Sequence, residues 1–123
     1  LLTGDIGREV EATLSKKGVQ AEVLKVPHHG SFSSSCGEFI KAVSPLVAVV
    51  CGRGPPPRFE KVESRYQKLK VPLLTTWRRG VITVELREGG VQVMREGWNE
   101  PCFYDHITPI GSFEKNKVQR LGF

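Results

Sequence analysis

Residues 46–51 read Leu-Val-Ala-Val-Val-Cys, an unbroken apolar run closed by Ser44-Pro45 on one side and Gly52 on the other. A run this short is strand-sized, and a strand with no polar alternate residue has to be covered on both faces. Such strands are the interior strands of layered α/β sheets, so this one segment calls for further structure above and below the sheet that contains it. Pro45 disfavours a helical Ser44 and so ends any helix that arrives from upstream.

The flanking pattern supplies those layers. Ile6, Val10 and Leu14 recur every four residues and predict a helix over 6–17, stopped by Gly18, with Asp5 placed to cap its first turn. Leu1-Leu2 reads as the end of a buried strand. Residues 21–26 read as a strand with Val23 and Lys25 on one face and Leu24 and Val26 on the other, ended by Pro27. A loop and a serine-rich stretch lead to a short helix over 38–43 carrying Phe39, Ile40 and Val43. After the central strand comes a rigid basic loop with three consecutive prolines, then an amphipathic helix marked by Phe59, Val62, Tyr66 and Leu69. Residues 71–76, 81–87 and 91–95 read as three more strands, the first short or at an edge because of Pro72. From Gly97 onward Trp98, Phe103, Tyr104, Ile107 and Ile110 follow no period, and the tail is expected to be irregular. Strand and helix in alternation, then a meander, predict a layered α/β domain with an antiparallel end.

The 123 residues suffice for one domain. No apolar run approaches the ~18 residues of a membrane helix, and no basic n-region marks a signal peptide. The three cysteines, Cys36, Cys51 and Cys102, show no CxxC spacing, which argues against a disulfide framework or a cysteine-rich zinc site. A net charge of +5 is compatible with nucleic acid but does not select it. The chain starts without an initiator Met, so the natural protein is expected to continue upstream and this chain to be a fragment.

Chemistry concentrates in two stretches, Thr3-Gly4-Asp5 and Pro27-His28-His29-Gly30-Ser31, each at the point where a strand ends in a loop. Two divalent ions about 3.5–4 Å apart can clamp the oxygens of a phosphoester, and a carboxylate that bridges them screens their repulsion. Asp5 suits that bridge, and His28 or His29 suits a terminal imidazole ligand. Neighbouring side chains of an extended segment point to opposite sides, so one histidine would ligate and the other would contact a phosphate or act as general acid. His106, beside Asp105, is a third candidate. The plain alternatives are an Asp5 that only caps a helix and a solvated histidine pair. A second constellation is cationic: Arg53, Arg58, Lys61, Arg65, Lys68, Lys70, Arg78 and Arg79 fall in one stretch and, on a shared face, would track a phosphate backbone.

Leu-Leu-Thr-Gly-Asp5 followed by Ala21-Glu22-Val23-Leu24-Lys25-Val26-Pro27-His28-His29-Gly30-Ser31 resembles the ComEC-type DNA internalization competence proteins. Further similar stretches follow in order: Phe39 with Val43-Ser44-Pro45, Ala48-Val49-Val50-Cys51-Gly52-Arg53-Gly54, Ser64-Arg65-Tyr66, Leu73-Leu74-Thr75-Thr76 and Gly80-Val81-Ile82-Thr83-Val84. The resemblance implies an α/β fold, the second half of a metallo-β-lactamase-type αββα sandwich with a mixed sheet and flanking helices. It covers residues 1–94, leaving 95–123 as an irregular tail. It implies two divalent metal ions, Zn or Mn, in the complete domain, with Asp5 and His29 as metal ligands and His28 as the catalytic, phosphate-contacting partner; the sequence leaves the order of the two histidines open. Arg53, Arg58, Lys61 and Arg65 are the expected nucleic-acid contacts.

The activity implied is metal-dependent hydrolysis of a DNA phosphodiester during uptake in natural transformation, with single-stranded DNA as partner. The full-length protein would sit at the bacterial inner membrane, joined to the upstream half and its membrane channel, with this segment soluble. Two departures stand out. The family's His-x-His-x-Asp-His cluster is absent, so the fragment alone is expected to be inactive, with metal-free and self-associated states over its bare face both open to it. The Gly/Phe-x-His-Pro stretch is replaced by Gly54-Pro55-Pro56-Pro57-Arg58-Phe59, without a histidine. The alternative is a non-catalytic, basic nucleic-acid-binding module.

Overall fold

The computed structural model describes residues 1–95, 97 and 102–105. In chain order the elements are α1 (Arg8–Lys16), β1 (Val23–Lys25), α2 (Gly37–Val43), β2 (Val47–Val50), α3 (Phe59–Lys68), β3 (Leu73–Thr75), α4 (Thr76–Arg79), β4 (Ile82–Arg87), β5 (Gly90–Arg95) and β6 (Cys102–Asp105). They form an α/β sandwich. The parallel and antiparallel strands expected in one mixed sheet lie in two sheets, a parallel β1-β2-β3 and an antiparallel β4-β5-β6.

Strand β2 is central to the first sheet, and all of its residues are buried. Its alternation explains why. Ala48 and Val50 face the helices together with Leu24 and Val26, against Phe39, Ile40 and Val43 of α2 and Phe59, Val62 and Tyr66 of α3. Val47 faces the other way with Val23 and Leu74, against Ile82, Val84, Val91 and Val93 of the second sheet. The order is therefore helices, parallel sheet, antiparallel sheet. Each fully buried side chain of this size contributes about 1.5–3 kcal/mol through apolar burial.

Several expectations shift. The first helix is Arg8–Lys16 rather than 6–17, its N-cap is Gly7, and no side chain caps it, so Asp5 does not serve as its cap. Its buried residue is Glu11, while Val10 of the expected apolar stripe is exposed. Leu2, expected in a buried strand, is 88% exposed. It makes one parallel bridge to Lys25 at the sheet edge and shares the register, hence the face, of Lys25 and Val49. Pro72 does precede an edge strand. Thr76–Arg79 continues as a short helix instead of strand, and within the stretch read as an irregular tail Cys102–Asp105 pairs with β5. Residues Trp98, Ile107 and Ile110 of that tail lie outside the described residues, as does His106. Cys36 and Cys51 are free thiols. No helix among the described residues is long and apolar enough to cross a membrane.

Candidate functional site

Parallel strands bring like ends together. The segment through Leu2 runs parallel to β1, β1 to β2 and β2 to β3. The loops that follow them, with Asp5, His28-His29, Cys51 and Thr76, therefore leave the sheet at one edge, the usual ligand-binding edge of an α/β sheet.

The first two loops are stitched to each other. Thr3 is buried and its hydroxyl donates to the Lys25 carbonyl at 2.7 Å. The Gly4 carbonyl accepts from the backbone N–H of His28 at 3.0 Å and from Lys25 Nζ at 3.3 Å. Beyond Pro27 the chain is not extended: His28, His29 and Gly30 have φ of 49°, 53° and 81°, three left-handed residues in succession. Ser31 N–H closes this turn onto the His28 carbonyl at 2.9 Å. Left-handed backbone costs a non-glycine residue about 1–2 kcal/mol. The surroundings impose it here, because a Cβ on Gly30 would lie 2.8 Å from the Phe59 ring and 3.2 Å from Val50 Cγ1. Only glycine lets the turn sit that close to the core, which fixes where the two histidines emerge.

Asp5 and His29 meet. His29 Nε2 lies 3.5 Å from Asp5 Oδ1, with both side chains more than half exposed. The other ring nitrogen, Nδ1, lies 2.8 Å from the Cys51 carbonyl oxygen. A carbonyl can only accept, so Nδ1 carries the hydrogen, and in the neutral ring Nε2 keeps its lone pair toward Asp5. The loop that provides the carbonyl is held in turn: the Thr76 hydroxyl accepts from Gly52 N–H at 3.0 Å and donates to Gly52 O at 2.8 Å. His28 is exposed, and among the described residues no hydrogen bond or ion pair holds its imidazole. The premise of an extended pair with opposed side chains does not describe this turn, although only one histidine turns to Asp5. Among the described residues no group of three or more His, Cys, Asp or Glu comes together to hold a metal.

The expected cations divide into two kinds. Arg58, Lys61 and Arg65 gather over the ring of Phe32, at 4.1, 5.7 and 4.8 Å from its centroid. Arg65 Nη1 also donates to the carbonyls of Phe32, Ser34 and Ser35, so it clamps the loop that follows the histidine turn. Arg53 is exposed in the proline-rich loop. Arg78 pairs with Glu63.

Behind the loop lies a polar network that sequence reasoning missed. The fully buried Glu11 carboxylate accepts from the backbone N–H groups of Ser35 and Cys36, at the start of α2. The Ser35 hydroxyl bonds the Tyr66 hydroxyl at 3.0 Å. Burial pushes the Cys36 thiol up, and the neighbouring Glu11 adds to it, so Cys36 is a poor thiolate. Burial likewise raises Tyr66, only partly offset by its bond to Ser35. Glu11 left no signal because its partners are backbone groups; Phe32 did, as an aromatic set among serines at 31 and 33–35.

With this geometry in place, comparison with known proteins is informative. The chain is 35% identical over 104 residues to the competence protein ComA of Neisseria gonorrhoeae, covering 77% of this chain. It is 34% identical over 88 residues to the ComE operon protein 3 of Bacillus subtilis, covering 67% of the chain. It is 31% identical over 119 residues to the uncharacterized protein YcaI of Escherichia coli, covering 89% of the chain. The chain spans only 15%, 11% and 14% of the length of these relatives. No family model matches the chain. No solved structure matches it significantly.

Proposed function

We propose, from the kinship with competence proteins, that this segment carries one side of a metal-dependent phosphodiesterase site that acts on single-stranded DNA during DNA uptake. The site would be completed by a preceding part of a longer, membrane-associated protein. The observation that carries the reading is the 3.5 Å approach of Asp5 Oδ1 and His29 Nε2, with His29 Nδ1 already committed to Cys51.

The donor set fits half of a metal shell. Oxygen and nitrogen ligands each about 2.0–2.1 Å from a tetrahedral centre stand about 3.4 Å apart, close to the observed separation. An imidazole that donates its second N–H to a backbone carbonyl is oriented as metal-bound histidines are. Two donors are fewer than the three protein ligands of a catalytic zinc site, so the remainder must come from outside the described residues. Bound divalent ions would supply positive charge against the phosphoester oxygens and lower the pKa of the attacking water.

The chain's own residues take three roles in this reading. Asp5 contributes the negative charge that balances the cations. His29 offers an imidazole already oriented through Nδ1. His28, exposed on the same turn and without a partner among the described residues, hydrogen-bonds a phosphate oxygen or passes a proton to the leaving oxygen.

The test is the metal content of the longer protein, Zn and Mn both measured, for the wild type, Asp5→Ala and His29→Ala. Loss of metal in both variants, with the circular dichroism spectrum unchanged, and loss of cleavage of a single-stranded oligonucleotide are the expected results. Metal stoichiometry that survives both substitutions would end the proposal.

A further inference from the structure

Three cations converge on one aromatic ring beside the candidate site, and carboxylates do not account for them. Arg58 sits closest to the Phe32 centroid at 4.1 Å, then Arg65 at 4.8 Å and Lys61 at 5.7 Å. The ring's negative face offsets part of their mutual repulsion, at about 0.5–1 kcal/mol per exposed contact. Among the described residues none of the three forms an ion pair with a carboxylate, whereas Arg78 pairs with Glu63 and Arg87 with Glu85. Arg65 is occupied by the carbonyls of Phe32, Ser34 and Ser35. Arg58 and Lys61 are exposed and have no such carbonyls to satisfy them. The ring thus gathers two exposed positive groups, with the half-buried Arg65 as a third charge beside it.

The patch is close to the histidine turn by covalent necessity. Phe32 follows His29 by three residues, which bounds their Cα separation at about 11 Å. Arg58 caps α3 in a left-handed conformation, and Phe59 next to it is the residue against which Gly30 packs. The turn that carries His29 and the helix start that carries Arg58 are therefore one packed unit.

We propose that Phe32 is a positioning residue, and that it gathers Arg58 and Lys61 into a phosphate-binding patch for the backbone of a single-stranded polynucleotide. The patch would hold the strand next to the Asp5–His29 pair. The proposal takes its ligand class from the DNA-directed reading above, but it needs no metal and no hydrolysis.

The experiment is equilibrium binding of a fluorescent single-stranded DNA oligonucleotide to the full chain, in EDTA, between about 50 and 200 mM salt. Each phosphate contact on a single strand contributes about 0.7 to the slope of log affinity against log salt. Arg58→Gln with Lys61→Gln is expected to lower that slope by about 1.4 and to weaken binding throughout. Lys16→Gln with Lys17→Gln removes the same charge from the C-terminal end of α1 and is expected to leave the slope unchanged. Phe32→Ala retains every charge but is expected to lose part of the slope, and Phe32→Tyr to restore it; a merely structural phenylalanine would change stability and leave the slope alone. Three results would overturn the patch: no binding, an equal slope loss in the α1 variant, or equal binding of polyglutamate. Loss of metal binding in Asp5→Ala with oligonucleotide binding intact is the pattern expected of independent sites. Intact metal binding in the longer protein, with no oligonucleotide binding by this chain, would sink the patch and leave the hydrolase reading standing.

Discussion

Cys51 reaches the candidate site through its backbone and not its thiol: its carbonyl oxygen lies 2.8 Å from Nδ1 of His29. In its neutral form the ring is therefore held in one tautomer by that carbonyl. Long-range nitrogen–proton NMR of the chain at a pH where the ring is neutral should show His29 as the Nδ1–H form, with Nε2 as the lone-pair nitrogen. The opposite tautomer would remove the basis for treating Nε2 as a ligand.

Gly30 is held by two independent constraints, a φ of +81° and a Phe59 ring 2.8 Å from where a Cβ would sit. Gly30→Ala should therefore cost about 2–4 kcal/mol, from the left-handed backbone and the overpacking together. Urea unfolding measures this, and a loss under 1 kcal/mol would show that the turn relaxes cheaply.

Glu11 accepts from two backbone N–H groups at the start of α2, and it is fully buried. Glu11→Ala strands both donors and is expected to destabilise the chain by about 2–5 kcal/mol. Glu11→Gln keeps one acceptor oxygen and should cost less. Equal losses in the two variants would mean that packing volume, not hydrogen bonding, sets the effect.

Tyr66 is raised from its ordinary value of 10.0, chiefly by burial. The folded chain therefore holds this proton more tightly than the unfolded chain does. The stabilisation is complete below about pH 10 and declines as pH rises above it, where the unfolded state ionises first. Absorbance titration should show a tyrosine that ionises late or only on unfolding, and Tyr66→Phe should abolish that step at a cost of about 1 kcal/mol for the bond to Ser35. Ordinary ionisation of both tyrosines in the folded chain would contradict it.

Arg65 acts as a clamp on three carbonyls of the loop between the histidine turn and α2. Arg65→Lys keeps the charge but loses the planar fork that spans several acceptors. Hydrogen exchange at Ser34 and Ser35 should accelerate in that variant while β2 stays protected. Unaltered exchange at both serines would show that the loop is secured without Arg65.

The apolar run through β2 announced a strand covered on both faces, and the periodicity of Phe59, Val62 and Tyr66 marked the face that α3 turns to the core. The approach of Asp5 and His29 was legible for a related reason: both stand where parallel strands end. The orientation of the two histidines was not, since an extended pair was assumed and Gly30, by fitting against Phe59, imposes a left-handed turn instead. Glu11 was hidden for a different reason. Helical periodicity reports side chains that seek apolar neighbours, and this one seeks backbone amides on another helix. Strand β6 was missed because Cys-Phe-Tyr-Asp is too short to display an alternation.

The doubled bond between the Thr76 hydroxyl and Gly52 carries a consequence two strands away. Gly52 adjoins the carbonyl that orients His29, so the aim of the imidazole is inherited from a hydroxyl at the start of α4. Drift at position 76 is then constrained from a distance: serine can preserve the aim, whereas valine, equal in shape, would release it while leaving every side chain of the candidate pair untouched.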